Sequence, residues 1–402
     1  MQQGNEFSMD SARERIKVLG AGIFSLVLTL GVARFAYTPL LPLMQQQAGL
    51  GVAEAGWLAA LNYAGYLSGA LLAALISDLE LKDKLYRAGL LLAIASSAMM
   101  GLSQDLTVWA LSRYLAGLSS AAGMLLGAGL ILNWLIRHGH RRELGIHFSG
   151  IGLGIVLCSV AVAAMEHRLD WRGQWLAFTA LSVLLAIPAL AWLPRPGRSP
   201  ANPAGSAALR DDPPGPGFLR LLMAAYFCAG IGYVVSATFI VAIVERLPGL
   251  AGQGKWAFLA LGLAAAPASI AWDLIARRVG ELNALIAAAM LQTAGILLPV
   301  AVGGLGAAIL GALLFGATFI GIVSLVLTMA GRYYPSRPAK MMGRMTLSYG
   351  SAQIAGPALT GWLAVRFGSY EAGLVLAAVA MMVGIVLLVA LRALQRREAG
   401  GG

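Results

Sequence analysis

The chain has 402 residues, of which 59% are hydrophobic and only 12% are charged. Soluble domains are about half apolar and about a quarter charged, so this composition excludes an ordinary soluble protein and indicates an integral membrane protein. The net charge of +11 would suggest nucleic acid as the partner of a soluble protein. Here the basic residues lie mainly in short segments between apolar runs, and we expect no nucleic-acid partner.

Apolar runs long enough to cross a bilayer, about 20 residues each, occur twelve times. Residues 194–217 are rich in Pro, Gly and Ser and form a predicted flexible linker between the first six and the last six. The pattern predicts an all-α membrane protein with six-helix bundles at 17–193 and 218–392, and short polar tails at 1–16 and 393–402. The N-terminal tail lacks the apolar core of a signal peptide. The predicted spans are 17–44, 53–77, 85–104, 106–136, 143–165, 172–193, 218–245, 253–276, 281–302, 304–332, 341–366 and 370–392.

The positions of Lys and Arg predict the orientation of these helices. With the N-terminus placed in the cytoplasm, 22 of the 29 Lys and Arg residues fall on the cytoplasmic side and 5 on the outer side. The other two, Arg34 and Arg113, fall inside predicted spans. We therefore expect a multi-pass protein of the bacterial inner membrane with both termini and the linker in the cytoplasm.

The two halves match each other at a constant offset of 199 residues. Matches at one offset in three separate helices indicate a duplicated six-helix unit, a plan used by secondary transporters whose substrate site lies near the midplane. The matching pairs are Gly31 with Gly230, Trp57 with Trp256 and Gly117 with Gly316.

Several short motifs carry a resemblance to a known superfamily. "AWDLIARRVG" (271–280) has an acidic residue followed by basic ones after helix eight, and "ISDLELKDK" (76–84) is a degraded version after helix two. "RYLAGLSSAAG" (113–123) in helix four has the spacing R-x3-G. With the six-linker-six layout, the chain resembles the major facilitator superfamily. "SGIGLG" (149–154) matches that superfamily's antiporter motif only in part, because the proline is missing.

Two further stretches narrow the resemblance. "GVARFAYTPLLPLM" (31–44) and "GYVVSATF" (232–239) are similar to the YbfB/YjiJ branch of bacterial facilitators. The resemblance implies two bundles that rock to open a central cavity to each side in turn. It also implies that helices one and four line this cavity, but it names no substrate.

The two arginines inside the membrane are the main candidate substrate ligands. Arg34 and Arg113 lie about ten and about seven residues from the outer ends of their helices, which places both at similar depth. Two guanidinium groups at one depth would bind a planar anion strongly. Alternatively, Arg113 bonds to backbone carbonyls or serves coupling, and Arg34 extends to the outer surface.

Acidic partners for these arginines are missing from the sequence pattern. No Asp or Glu falls near the middle of any predicted span, although a buried charge needs a partner. We therefore expect a bound anion to partner Arg34, unless carbonyl groups and water do so. At the 199 offset, Arg34 aligns with Tyr233 and Arg113 with Ala312. The positive charge is confined to the N-terminal half, as expected if one half binds an anionic group and the other packs the rest.

The remaining candidate cavity residues are polar or aromatic side chains at helical spacing. Each is alternatively an ordinary interhelical contact. They are Tyr37 and Thr38 on the face of Arg34, Asn62 and Tyr66 in helix two, Tyr226 and Tyr233 in helix seven, and Tyr349 and Gln353 in helix eleven.

Coupling and gating candidates lie nearer the cytoplasmic ends. His147, the only histidine within a predicted span, is a candidate proton carrier or else a neutral core residue. Asp78, Asp273, Arg277 and Arg278 are candidate contacts of a cytoplasmic gate.

The predicted function is secondary active or facilitative transport of a small solute by alternating access. The preferred substrate class is a small organic anion, a carboxylate, moving with protons or in exchange. Efflux of drug-like hydrophobic solutes by proton antiport is one alternative, and a non-transporting ligand sensor is another. No phosphate-binding loop, metal cluster or nucleophile–base pair is evident, so we expect no enzyme activity, metal or cofactor. Nothing requires more than a monomer in the lipid bilayer.

Overall fold

The computed structural model describes residues 2–138, 140, 144–196, 214–333 and 338–400. Most of the predicted linker, 194–217, lies outside these ranges. The described part contains twelve long helices and no strand. They are α1 (Gln2–Leu26, a π-helical segment Val27–Phe35, and Tyr37–Ala48), α2 (Val52–Leu75), α3 (Leu79–Leu102), α4 (Leu106–Ala121, a π-helical segment Ala122–Leu126, and Gly127–Arg137), α5 (Leu144–Met165), α6 (Trp171–Ala191), α7 (Pro216–Arg246), α8 (Gly254–Val279), α9 (Glu281–Ala301), α10 (Gly304–Tyr333), α11 (Pro338–Phe367) and α12 (Glu371–Gly400).

These helices confirm the predicted all-α membrane fold. Eleven helices in the described part are long and apolar enough to cross a membrane. The twelfth, α11, carries the polar stretch "TLSYGSAQ" and packs against α2 and α7 inside the molecule. Helix α1 begins at Gln2 and α12 continues to Gly400, so stretches predicted as polar tails, 1–16 and 393–402, are helical where they are described.

The two halves meet along three pairs of helices: α1 with α7, α2 with α11, and α5 with α8. Each pair joins one helix of the N-terminal half to one helix of the C-terminal half. Because twelve crossings return the chain to the side from which it started, both termini lie at one end of the bundle. We call this the terminal end and the opposite one the far end.

The duplication predicted from the sequence is visible in the packing. Gly117 of α4 packs against the backbone of Asn62 in α2, and Gly316 of α10 packs against the backbone of Leu261 in α8. Asn62 and Leu261 are themselves separated by the offset of 199. A side chain at either glycine would collide with the neighbouring backbone, so small residues let these helices approach closely. The same glycine-to-backbone contact therefore occurs in both halves, at positions related by the offset of 199.

The start of α4 positions one of the predicted site residues. The Asp105 carboxylate accepts hydrogen bonds from the backbone N–H groups of Thr107 (2.8 Å) and Val108 (3.1 Å) and caps the helix. These hydrogen bonds, first the one from Val108 and then those from Thr107, stabilise the charged carboxylate and hold the pKa of Asp105 below its ordinary value. Arg113 follows about two turns later in this capped helix.

Candidate functional site

Arg34 lies at the contact between the two halves and is surrounded by aromatic rings. It belongs to the π-helical segment of α1, and only 6% of its surface is exposed. Its Cζ atom lies 4.3 Å from the ring centre of Tyr63, 5.0 Å from that of Tyr66 and 5.6 Å from that of Phe35. Its Nε is buried without a hydrogen-bond partner. The guanidinium is therefore held mainly by cation–π contacts, which use no oxygen acceptor.

The backbone of α1 changes its hydrogen-bond spacing beside this arginine. The N–H of Ala36 donates to the carbonyl of Gly31, five residues earlier, at 3.0 Å, whereas the N–H of Leu40 donates to the carbonyl of Ala36, four residues earlier, at 3.2 Å. Between these two bonds lie the four carbonyls of residues 32–35, and only residues 37, 38 and 39 are placed to donate to them. Pro39 has no N–H, so two donors remain for four carbonyls. Two carbonyls are therefore left without a donor from α1 itself.

Arg113 supplies two hydrogen bonds at this point. Its Nη1 donates to the carbonyl of Ala33 at 2.8 Å, and its Nη2 donates to the carbonyl of Arg34 at 3.2 Å. Its Cζ lies 4.5 Å from the ring centre of Tyr37. The side-chain amide of Asn62 donates a hydrogen bond to the backbone carbonyl of Arg113 at 2.9 Å. The structure thus brings the two arginines together. In this conformation, however, two N–H groups of Arg113 are used by the backbone of α1.

A narrow gap of about 230 Å³ lies between the two halves at this level. This volume includes space that is open to solvent, so the gap is nearly closed in this conformation. Its lining combines residues of α1, α2 and α4 with Ala237 and Thr238 of α7. Five of the predicted cavity residues line it: Arg34, Tyr37, Thr38, Asn62 and Arg113.

The other predicted cavity residues lie beside the gap, in or near a group of aromatic rings. Tyr233 stacks on Tyr349, with ring centres 5.8 Å apart, and Tyr349 stacks on Tyr226 at 4.5 Å. Tyr66 contacts Arg34, as described above. Gln353 is buried on α11, and its Oε1 has no hydrogen-bond partner.

Three aromatic residues at this place were missed by the sequence analysis. Tyr63 lies between Arg34 and Tyr233, and its ring meets that of Tyr233 edge to face at 6.4 Å. Phe315 and Phe319 of α10 stack with Tyr233 at 6.3 and 5.3 Å. The available signal was their spacing: Tyr63 neighbours Asn62, and the two phenylalanines are four residues apart, on one face of a helix.

The gap carries positive charge without a protein counter-charge. Among the residues whose side chains the structure describes, Asp83 is the one buried carboxylate. It belongs to α3 and pairs with Arg87 at 2.9 Å. Arg34 and Arg113 therefore lie close to each other and have no carboxylate partner in the described part of the chain.

Polar contacts join the two halves toward the far end. The Thr38 hydroxyl of α1 donates to the carbonyl of Ala237 in α7 at 3.0 Å. The Ser159 hydroxyl of α5 donates to the carbonyl of Lys255 in α8 at 2.6 Å. The Lys255 ammonium also forms an ion pair with Glu166, at the end of α5. These contacts close the molecule between the gap and the far end.

Glycine packing and a tyrosine complete this closure. Gly56, in the second turn of α2, packs directly against the carbonyl of Pro357 in α11. Beyond it, Tyr370 packs against Phe239 of α7, with ring centres 5.1 Å apart. The guanidinium of Arg246 lies 4.7 Å from the ring centre of the same tyrosine.

The predicted coupling and gating residues lie away from the gap. His147 is fully buried within the N-terminal half, where its ring lies against Gly22 of α1. Asp78 caps α3 by accepting a hydrogen bond from the N–H of Glu80 at 3.0 Å. Asp273 forms an exposed ion pair with Arg277, one turn later, at 2.7 Å, and Arg278 is exposed beside them. Their roles in coupling or gating stay predictions.

Comparison with known proteins identifies the family. The profile described as "Uncharacterised MFS-type transporter YbfB" matches residues 26–389, which is most of the chain. The chain belongs to this family. The superfamily resemblance read from its motifs is thereby confirmed, and so is the expectation that the protein is a transporter and not an enzyme.

Two individual proteins illustrate the relationship. An MFS-type transporter of Bacillus subtilis (strain 168), YceJ, described as uncharacterized, is 24% identical over 283 residues, which span 67% of this chain and 70% of YceJ. A solved structure of a mutant of the nucleoside transporter NupG superposes with a TM-score of 0.71 and 14% identity. It covers 94% of this chain and 99% of NupG. At that identity the likeness shows a shared fold.

Proposed function

We propose that this MFS-type transporter moves a small organic anion, and that Arg34 binds the anionic group. The observation that carries the proposal is the environment of Arg34. It is a buried cation at the contact between the two halves, with a second cation, Arg113, beside it and no buried carboxylate nearby in the described structure. Transport proceeds by alternating access, with the two halves rocking about the gap.

The free energy of burying Arg34 supports an anion more than a neutral solute. Removing a guanidinium from water costs several kcal/mol, whereas one cation–π contact contributes about 0.5–2 kcal/mol. The Tyr63 and Tyr66 rings therefore offset only part of the cost, and Nε makes no hydrogen bond. A carboxylate at this place would accept charge-assisted hydrogen bonds from the guanidinium, which are about twice as strong as neutral ones.

The arrangement of the halves fits the same proposal. The contacts from Thr38, Ser159 and Glu166 close the far end, and closure at one end at a time is what alternating access requires. The excess of Lys and Arg in the loops of the terminal end favours a cytoplasmic position for both termini in a bacterial inner membrane. We treat the protein as a monomer that couples transport to protons or to anion exchange.

The test is a binding assay with matched variants. The purified protein is heated in detergent with sodium salts of mono- and dicarboxylic acids, with the corresponding neutral amides, and with cationic drugs. A ligand at about 100 times its Kd adds about 2.7 kcal/mol of stability, a readable shift. Arg34→Gln is compared with Arg246→Gln, because Arg246 also lies over a tyrosine ring but outside the gap. Compounds that bind are then tested for counterflow in proteoliposomes.

The expected result is stabilisation by carboxylates of wild type and Arg246→Gln, and loss of that response in Arg34→Gln. Equal stabilisation by acids and amides, or an unchanged response of a folded Arg34→Gln protein, would overturn the proposal. A response confined to cationic drugs would favour efflux of hydrophobic solutes instead.

A neutral planar solute is the second candidate, because stacked aromatic rings line the C-terminal half beside the gap. NupG, which shares the fold, is a nucleoside transporter. Uridine and adenosine are therefore included in the same assay. Stabilisation by a nucleoside that survives Arg34→Gln would select this candidate.

A further inference from the structure

Five aromatic rings of the C-terminal half form one contiguous group of near-parallel rings, which we call the aromatic stack, and within it Tyr233, Phe315 and Phe319 all contact one another. Successive ring centres lie 4.5, 5.8, 5.3 and 5.6 Å apart, and successive ring planes are inclined by only 21–28°. The rings come from three helices, α7, α10 and α11. In order they are Tyr226, Tyr349, Tyr233, Phe319 and Phe315.

Near-parallel contacts link five rings here, whereas elsewhere in the described part of the chain Trp134 alone stacks in this way, with His138 at 21° and His140 at 20°. Phe24 with Trp192, Trp109 with Trp171, and Phe218 with Tyr333 meet at 72°, 89° and 77°. Edge-to-face and offset-stacked pairs are both favourable, so nothing in ring chemistry alone requires five rings to be nearly parallel. A further flat ring can join such a group with its plane nearly parallel to the others.

The aromatic stack lies next to the buried cation, with one ring between them. Tyr63 of the N-terminal half contacts Arg34 with its face, 4.3 Å from Cζ, and meets Tyr233 edge to face at 6.4 Å. Tyr63 also lines the gap between the halves. When the halves separate, Tyr63 and Arg34 move with one half and the aromatic stack with the other. A site then opens between a guanidinium and a flat aromatic surface.

We propose that the substrate is a planar, conjugated carboxylate, with its ring against Tyr233 and Tyr349 and its carboxylate at Arg34. This inference rests on the proposed function and names the part of the substrate that the C-terminal half recognises.

Four probes separate the two parts of the proposal: benzoate, cyclohexanecarboxylate, benzamide and cyclohexanecarboxamide. The two acids have the same charge and nearly the same size but differ in planarity, and each amide lacks the charge of its acid. Affinities are measured on the purified full chain by thermal shift and by inhibition of counterflow. Aromatic contacts of about 0.5–1.5 kcal/mol beyond burial predict that benzoate binds about two- to twelvefold more tightly than cyclohexanecarboxylate.

Variants of the aromatic stack test where the preference originates. Tyr233→Leu and Tyr349→Leu are each expected to bring the ratio of the two acid affinities close to one. Tyr233→Phe, which keeps the ring, is expected to retain it. Phe178→Leu serves as the control, since Phe178 is a fully buried ring of α6 in the N-terminal half. The use of two leucine variants keeps the test valid if one of them fails to fold.

The outcomes separate this inference from the proposed function. Equal binding of benzoate and cyclohexanecarboxylate to wild type, or a ratio that persists in the folded leucine variants, would overturn the inference and leave the anion proposal standing. Binding of benzamide as tightly as benzoate would overturn the anion proposal itself. A benzoate preference that is lost in Tyr233→Leu and retained in Tyr233→Phe would support both.

Discussion

Replacing Arg113 with lysine keeps a buried cation but removes the planar guanidinium. Arg113 donates to the carbonyl of Ala33 at 2.8 Å and to that of Arg34 at 3.2 Å from two different nitrogens. A lysine ammonium is a single point donor on a flexible stem and lacks this fixed geometry. We expect Arg113→Lys to lose one of the two hydrogen bonds and to leave one carbonyl of α1 without a donor.

The expected cost follows from that lost bond. A hydrogen bond to a charged group contributes about 1.5–3 kcal/mol, and inside a bilayer no water replaces a missing donor. The desolvation of the cation is similar in both proteins and cancels to first order. Arg113→Lys should therefore lower the free energy of unfolding by about 1.5–3 kcal/mol. Arg34→Lys should cost less than about 1 kcal/mol, since lysine also makes cation–π contacts.

The two cysteines provide the assay. Cys158 is fully buried and Cys228 is half-buried, so in a Cys228→Ala background a thiol-reactive fluorophore reports unfolding through Cys158. Thermal and denaturant unfolding of wild type, Arg113→Lys and Arg34→Lys are compared in the same detergent. If Arg113→Lys is as stable as wild type while Arg34→Lys is less stable, the surplus carbonyls of α1 are not what holds Arg113.

Two further predictions concern helix packing and closure. Gly117→Ala should destabilise the protein by about 1–3 kcal/mol, because a Cβ there collides with the backbone of α2. Gly129→Ala in the same helix, which meets no atom within 4 Å, should be neutral or stabilising in the same unfolding assay. Glu166→Gln should weaken the closure that the Lys255 ion pair provides and speed thiol labelling of an Ala59→Cys reporter in the gap. Exchanging the charges of Glu166 and Lys255 should restore slow labelling, and an unchanged rate in Glu166→Gln would show that the pair does not hold the far end closed.

The fold was predictable because the bilayer restricts it so strongly. Spanning segments must be helices of about 20 apolar residues, so the number of helices and their alternation follow from composition. The same regular rise per residue allowed Arg34 and Arg113 to be placed at one depth in different helices. In the structure, Arg113 donates a hydrogen bond to the backbone carbonyl of Arg34.

The environment of the two arginines was less predictable, for two physical reasons. The π-helical segment Val27–Phe35 depends on how α1 packs, and the sequence signals it only through Pro39. The face of α10 could not be assigned because a helix that is apolar on all sides shows no periodic contrast. Phe315 and Phe319 were missed for this second reason.

The hydrogen bonds of Arg113 have a consequence for how a site of this kind can diversify. The atoms that accept them at Ala33 and Arg34 are backbone oxygens, which every amino acid possesses. The side chain at position 34 can therefore change from cationic to neutral or acidic while the support from α4 remains in place. In this architecture a change of one amino acid alters the charge at the gap between the halves, and the hydrogen bonds that support the backbone there are unchanged.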